Sequence, residues 1–300
     1  MRALRSHAVC FGGKRFAAGT PMILGDRRVG VHKCTDYIYR RRHLIGALSP
    51  SGRTRATAGP LLSLADTTSM RAAFYFVNRY TCDGQWEVLE DRTMVTAGFN
   101  DVTVVKPIYQ GDLLQLEARV VHCRAASLGV YCSVSRQAYD CPVPERVAEC
   151  YVTAVVLNPS TMKPKSGMIP AVEIEEEEDK GRSAFYSHVI GGRKRKEAGV
   201  GGPLTPAECE LSTAKPINVS IQESHTLSDW WYVIDALNGN NVVFGGAILG
   251  QMERAALHCG RVFCGSPFLF TIGVFDLAFY APYEVDRHGQ VAGEGGGGAP

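Results

Sequence analysis

The sequence predicts an α+β protein in which an antiparallel sheet wraps around a central helix, with this unit written twice and the second copy cut short. Three observations predict it: a doubled strand motif, a doubled glycine-started apolar helix, and further strand patterns after the first copy only.

The strand motif is the clearest repeat. Val95–Asp112 (VTAGFNDVTVVKPIYQGD) aligns with Phe270–Arg287 (FTIGVFDLAFYAPYEVDR) at a constant offset of 175. Thr96 falls on Thr271, Gly98 on Gly273, Asp101 on Asp276 and Pro107 on Pro282. Self-similarity of this kind marks a repeated structural unit. Each segment reads as a largely buried strand ended by proline, which lacks the N–H a sheet ladder needs.

The helix motif lies upstream in each copy. Ala58–Asp66 (AGPLLSLAD) is echoed by Gly245–Glu253 (GGAILGQME) at an offset of 187. Each is a small-residue turn opening an apolar helix, with an acid seven residues after the second position. The first copy therefore holds 12 extra residues between helix and strand, which fits a loop over Thr81–Arg92. A helix as apolar as Leu61–Val77 must bury most of its surface, and a curved sheet provides that cover.

Three strand patterns follow the first copy: Leu113–His122, Leu128–Gln137 and Arg146–Leu157. With the Val95 strand they predict a four-stranded antiparallel meander. After Asp286 the second copy offers only DRHGQVAGEGGGGAP, a low-complexity tail expected not to pair in a sheet. The expected plan is a basic tail over 1–30, a first domain over 31–160, a charged linker over 161–215, an incomplete second domain over 216–286 and a Gly-rich tail over 287–300. Around the linker sit the acidic run Glu173–Asp179 and the basic run Arg193–Lys196. These read as a solvated connector with at most one short helix.

Composition bounds the function. The chain has 300 residues, 45% hydrophobic and 21% charged, enough for a sizeable core. A formal net charge of +2 gives no reason for a nucleic-acid partner. No uncharged apolar run reaches the ~18 residues of a membrane span. The longest, Val262–Phe275, reads as a buried strand. Ten cysteines form no CxxC pair, and Cys123, Cys132, Cys141 and Cys150 recur every nine residues. Structural zinc sites use tighter pairs, so these read as buried, reduced strand cysteines. Met1–Gly25 carries Arg2, Arg5, Lys14 and Arg15 and no acid. That is the composition of a mitochondrial transit segment, with a disordered basic tail as the plain alternative. The expected compartment is mitochondrial, the alternative cytoplasmic.

Asn238–Gly246 (NGNNVVFGG), followed by an apolar helix, resembles the N-x-x-G-x-x-F-G-G element of the eukaryotic tandem-hotdog acyl-CoA thioesterases. Phe263–Asp276 (FCGSPFLFTIGVFD) looks most like the second repeat of the mitochondrial members, and Ala58–Thr68 is similar to the first-repeat helix of the family. The likeness covers about Asp36–Leu157 and Ile217–Asp286; no single piece is a strict signature, and the doubled, ordered set carries it.

The resemblance implies a tandem hotdog, each unit a sheet around a long helix, with active sites at the shared interface. An Asp on one helix works there with an Asn in the loop before the other. In this sequence that pair is Asp66 and Asn238. The mirror site has Ser51 and Glu253, a departure that implies one live site and one degenerate one. Asn241 stands where the loop usually has Gly. The implied reaction is hydrolysis of acyl-CoA, with coenzyme A as part of the substrate and no further cofactor. The implied assembly is a homo-oligomer, a dimer or trimer of tandem chains.

The residues suit that chemistry. Asp66 in an apolar helix has reason for a raised pKa, which favours a general base; direct attack as a nucleophile is the other route. Its plain alternative is a helix Asp tied to Ser69 or to backbone. Gly245 and Gly246 leave free N–H groups at a helix start, where an oxyanion can sit. Asn238 would orient the water or carbonyl, or else simply cap its loop. Arg124 and Ser127 in a strand turn, and Lys106, are candidates for the CoA phosphates. The competing functions are a non-catalytic acyl-CoA-binding module and a hotdog hydratase. The latter typically needs a His in the catalytic pair, and neither pre-helix loop has one.

Overall fold

The computed structural model describes residues 31–46, 54–78, 92–138, 141–198, 226–230, 232, 236–238, 242–275, 277–280, 283 and 289–293. The side chains of 190–198, 228–229 and 289–293 are outside that set. Ser51, Asn241, Asp276, Pro282, the basic tail and most of the Thr81–Arg92 loop also lie outside the described residues.

The first copy is complete. Strands β1 (Val31–Lys33) and β2 (Tyr39–Leu44) lead into helix α1 (Ala58–Asn78), then β3 (Thr93–Val104), β4 (Leu113–Cys123), β5 (Ser127–Gln137) and β6 (Glu145–Leu157). The alternation of apolar and polar side chains sets the strands, and their ends match the sequence reading to within a residue or two. Pro60 in the first turn of α1 costs nothing there, since that N–H has no intrahelical partner. Leu62, Ala65, Ala72, Ala73 and Phe76 of α1 pack with Leu116, Val130, Cys132, Cys150 and Val152 in one core cluster.

The strand order corrects the expected meander. It runs β2-β4-β5-β6-β3, so β3 lies beside β6 and not beside β4. Short connections make β4–β5 and β5–β6 neighbours, and β2 takes the other edge of β4. The edge left for β3 is that of β6.

The linker is a second correction. After β7 (Ala171–Glu173) comes a helix of 22 residues, α2 (Glu177–Ala198), rather than a short helix in a solvated connector. It packs on the sheet face opposite α1. Neighbouring strand residues show this: Val120 and Val130 face the α1 core, while Val121 and Tyr131 face Tyr186 of α2. Gly129 makes room, since a Cβ there would lie 2.5 Å from the Tyr186 ring. The Asp179 side chain is fully buried between Arg119 at 2.8 Å and Arg182 at 2.5 Å. Burial pushes its carboxyl up, and the two guanidinium bonds outweigh that and hold it below its usual value. The basic run Arg193–Lys196 continues the same helix.

The second copy comprises β8 (Thr226–Trp230), helix α3 (Gly245–Cys264), the dipeptide strands β9 (Gly273–Val274) and β10 (Leu277–Ala278), and β11 (Gly289–Gly293). The long strand expected here is broken into β9 and β10, which pair with the free edge of β3. They flank a bulge where Asp101 adopts φ 51°. Nor is Val262–Phe275 one buried strand. Its start is the last turn of α3, ended by Gly265 at φ 62°, and Phe268 and Ile272 are exposed. The tail gives a third correction: β11 pairs antiparallel with β8 over five residues, despite its composition. Backbone hydrogen bonds need no particular side chain, so a Gly-rich segment can still form a ladder. The whole is an α+β tandem hotdog with a short second unit; β9 and β10 extend the first unit's sheet along β3, and β8 and β11 form a separate two-stranded sheet.

Candidate functional site

Asp66 sits at the start of the third turn of α1 and is fully buried. Its Oδ1 accepts a hydrogen bond from the Thr96 hydroxyl of β3 at 2.6 Å. Its Oδ2 accepts from the backbone N–H of Gly246, the second residue of α3, at 2.8 Å. The carboxylate of one copy thus caps the helix of the other, where unpaired N–H groups and the positive end of the helix dipole favour an anion. Close approach requires glycine. A Cβ on Gly246 would lie 2.7 Å from Ser63 Cα and 2.6 Å from the Phe244 ring, and one on Gly245 would lie 3.0 Å from Asp66 Oδ2. Burial raises the Asp66 pKa to about 6, against the bonds from Thr96 and Gly246, which pull it down.

The second copy repeats the arrangement. Glu253 of α3 is buried, and its Oε1 accepts from the Thr271 hydroxyl at 2.8 Å and from the Ala58 N–H of α1 at 3.2 Å. Thr96 and Thr271 are the aligned threonines of the repeat, and each acid caps the other helix. The second carboxylate is not fully used: Glu253 Oε2 has no hydrogen-bond partner among the described residues.

Asn238 is half-buried in the loop before α3. Its Oδ1 accepts from Val242 N–H at 3.4 Å, and its own N–H donates to Val242 O at 2.9 Å. It fastens its loop, and the bonds to Asp66 come from Thr96 and Gly246 instead. Ser69 lies one turn beyond Asp66, buried, with its hydroxyl unpartnered among the described residues. Arg124 and Ser127 close the β4–β5 turn through Arg124 N–H to Ser127 O at 2.8 Å. The register sets Ser127 opposite Val155, which is opposite Val95. That turn is therefore two strand spacings, ~10 Å, from the strand carrying Thr96. Lys106 is committed to an exposed ion pair with Glu145 at 2.5 Å.

The structure brings Asp66, Gly245 and Gly246 together and adds Thr96. Sequence reasoning had matched Thr96 with Thr271 yet assigned neither a role; their recurrence beside the recurring acids was the available signal. Of the cysteines, Cys132 and Cys150 are buried partners on β5 and β6, while Cys141 is exposed in a turn and departs from the buried-strand expectation. Among the described residues no helix is long and apolar enough to cross a membrane.

No family model and no curated protein matches the chain. Solved structures do. A point mutant of an acyl-CoA hydrolase from Staphylococcus aureus in complex with coenzyme A is 20% identical, over 56% of this chain and 92% of that one, with a TM-score of 0.46. An acyl-CoA hydrolase from Bacillus cereus is 19% identical, over 56% and 93%, at 0.44. A hexameric acyl-CoA thioesterase in its apo form is 22% identical, over 57% and 99%, at 0.46. These neighbours are acyl-CoA hydrolases and thioesterases.

Proposed function

We propose that the chain hydrolyses acyl-CoA thioesters to a carboxylic acid and coenzyme A, with Asp66 as the reactive group. The observation that carries the reading is the buried Asp66 carboxylate, held between a hydroxyl and the amino end of a helix from the other copy. A pKa near 6 leaves it ionised at neutral pH yet basic enough to take a proton.

The geometry supports an exchange of partners. The thioester carbonyl takes the Gly246 N–H, and Oδ2 is released toward a water. Loss of that bond removes an interaction that holds the pKa down, so Asp66 becomes a stronger base as substrate binds. The water oxygen attacks the carbonyl carbon while its proton passes to Asp66. The oxyanion rests on the N–H groups at the start of α3. The C–S bond then breaks, and the thiolate leaves with the proton from Asp66. In the alternative route Asp66 itself attacks the carbonyl; trapping an acyl-enzyme with hydroxylamine distinguishes the two. Asn238 is proposed to hold the pre-helix loop and the incoming water, Ser69 to line the acyl path, and Arg124 and Ser127 to meet the CoA phosphates. No cofactor enters this scheme.

The test is thiol release from short, medium and long acyl-CoAs by wild-type protein and Asp66→Asn. Release that depends on Asp66 supports the reading. A folded protein that binds acyl-CoA without hydrolysing it supports the second reading, a binding module. One observation favours that second reading: both Asp66 oxygens are already bonded, Oδ1 by the Thr96 hydroxyl and Oδ2 as a cap on the helix that starts at Gly245. We also propose a mitochondrial location for the basic amino terminus and assembly into dimers or trimers, consistent with the exposed Phe268, Ile272 and Phe275.

A further inference from the structure

We infer that the second unit docks a β-hairpin from another polypeptide, two antiparallel strands seated between β11 and the β9–β10 edge. The inference does not depend on the proposed hydrolysis.

The register of the strands defines the opening. Phe99 faces Leu277 and Val102 faces Val274. At the repeat offset of 175, Val274 is the counterpart of Phe99 and Leu277 of Val102. Each residue thus faces the other's counterpart, and the two copies meet across a local two-fold axis. The short sheet keeps the same correspondence. Tyr39 and Arg40 of β2 pair with Ala118 and Glu117 of β4, while Thr226 and Leu227 of β8, at the helix offset of 187, pair with Gly293 and Ala292. Gly293 and Ala292 are the counterparts of Ala118 and Glu117 at 175. So β11 stands in the place of β4, and β9–β10 in the place of β3. In the first unit β5 and β6 lie between those two strands. Among the described residues β11 pairs only with β8, and β9 and β10 only with β3. The opening is two strands wide, three spacings or about 14 Å from β11 to β9–β10.

The helix facing it carries a matching apolar stripe. In the first unit α1 packs on β4, β5 and β6, and its Ala65, Ser69, Ala72 and Phe76 are buried. Their counterparts on α3 are Met252, Ala256, Cys259 and Phe263, one face of the helix. Met252 is 37% and Phe263 50% exposed, against 1% for Ala65 and 0% for Phe76. The strand edge is ready as well. Phe279 N–H donates to Ala97 O of β3, and N–H groups alternate along a strand, so the Ala278 N–H points into the opening. Its counterpart Thr103 faces Glu149 of β6. The complementary partner is an antiparallel hairpin with apolar side chains at alternate positions, turned toward α3. A single strand fills half the width, and a helix offers the edge N–H groups no ladder. A second copy of this chain has its own β5 and β6 committed to its first-unit sheet, so the partner is a different polypeptide.

The test is hydrogen–deuterium exchange of the full chain, alone and with a synthetic hairpin of the Ser127–Leu157 sequence, which fills this place in the first unit. The hairpin is expected to slow exchange at Ala278 and along β11 about 10-fold or more, saturating at one equivalent. Phe263→Lys places a cation at an exposed position in the last turn of α3, where the helix dipole favours it. Ala278→Pro removes an N–H that β3 does not use. Each should weaken hairpin binding about 10-fold or more without lowering the melting temperature. Absence of saturable protection overturns the inference, as does protection that both variants leave unchanged. Slow exchange at Ala278 in the dilute chain alone would show the opening filled from within, and slow exchange only in concentrated chain would make a second copy the occupant. Either result also overturns it.

Discussion

The two copies place the same three parts together: an acid in a helix, a threonine in the segment that follows it, and the first backbone N–H groups of the opposite helix. They differ in cover. The first helix lies under a full sheet and buries thirteen residues, while α3 buries five. Asp66 has both oxygens bonded and its pKa lifted by burial; Glu253, one carbon longer and beside an open cleft, keeps one oxygen bare. The sheet therefore does more than stabilise its helix. Under it a capping carboxylate has both oxygens paired, and beside the barer α3 only one oxygen is paired.

The largest expected effect breaks the comparison at its chemical end. Asp66→Asn should lower thiol release by about 10²- to 10⁴-fold, the usual worth of a positioned general base. Melting temperature should hold, because the amide oxygen can accept from the Gly246 N–H while the NH2 donates to the Thr96 hydroxyl oxygen. Loss of fold instead would make Asp66 a structural cap.

Glycine substitutions come next. Gly246→Ala drives a Cβ into Ser63 backbone and the Phe244 ring, and should cost about 1–3 kcal/mol in denaturant unfolding. Its counterpart Gly59→Ala meets Gly250 Cα at 3.3 Å and should cost less. Equal costs would show that the two crossings are no different.

The pH dependence sharpens the same contrast. The Asp66 pKa in the fold exceeds that of an exposed carboxyl, so the folded state holds the proton more tightly. The stability this contributes is present at low pH and is lost as pH rises through about 6. At pH 7 the loss is about 3 kcal/mol, and Asp66→Asn should flatten that slope in pH-dependent melts. Turnover should fall on the acid side near pH 6. Thr96→Val removes a bond that pulls the pKa down and should move that limb upward. An unmoved limb would assign it to another group.

The smallest effect is at Lys106. Its ion pair with Glu145 is exposed, so Lys106→Ala should change stability by less than about 0.5 kcal/mol and turnover hardly at all.

Much of this was legible in the sequence because it rests on local period. Strands β4 to β6 and helix α1 followed from alternation and from an unbroken apolar stretch. The resemblance implied Asp66 together with Asn238, and helix-start chemistry pointed to the Gly245 and Gly246 N–H groups; the bond from Gly246 to Asp66 itself came from the structure. What escaped depends on partners. The strand β11 is a backbone ladder whose glycines leave no side-chain signal. The docking of α2 depends on Asp179 finding Arg119 sixty residues earlier, and a charge-rich run gives no sign of that. The position of β3 beside β6 is set by which edge the other strands leave open.

The bond from Gly246 to Asp66 spans 180 residues. At ~5–20 residues per second of synthesis, the first unit waits roughly 10–40 s for the helix that meets its carboxylate. During that interval Asp66 has its Thr96 partner but lacks the Gly246 N–H. The second bond to that carboxylate therefore forms only when the second unit docks, so the arrangement at Asp66 is the last part of the first unit to be completed.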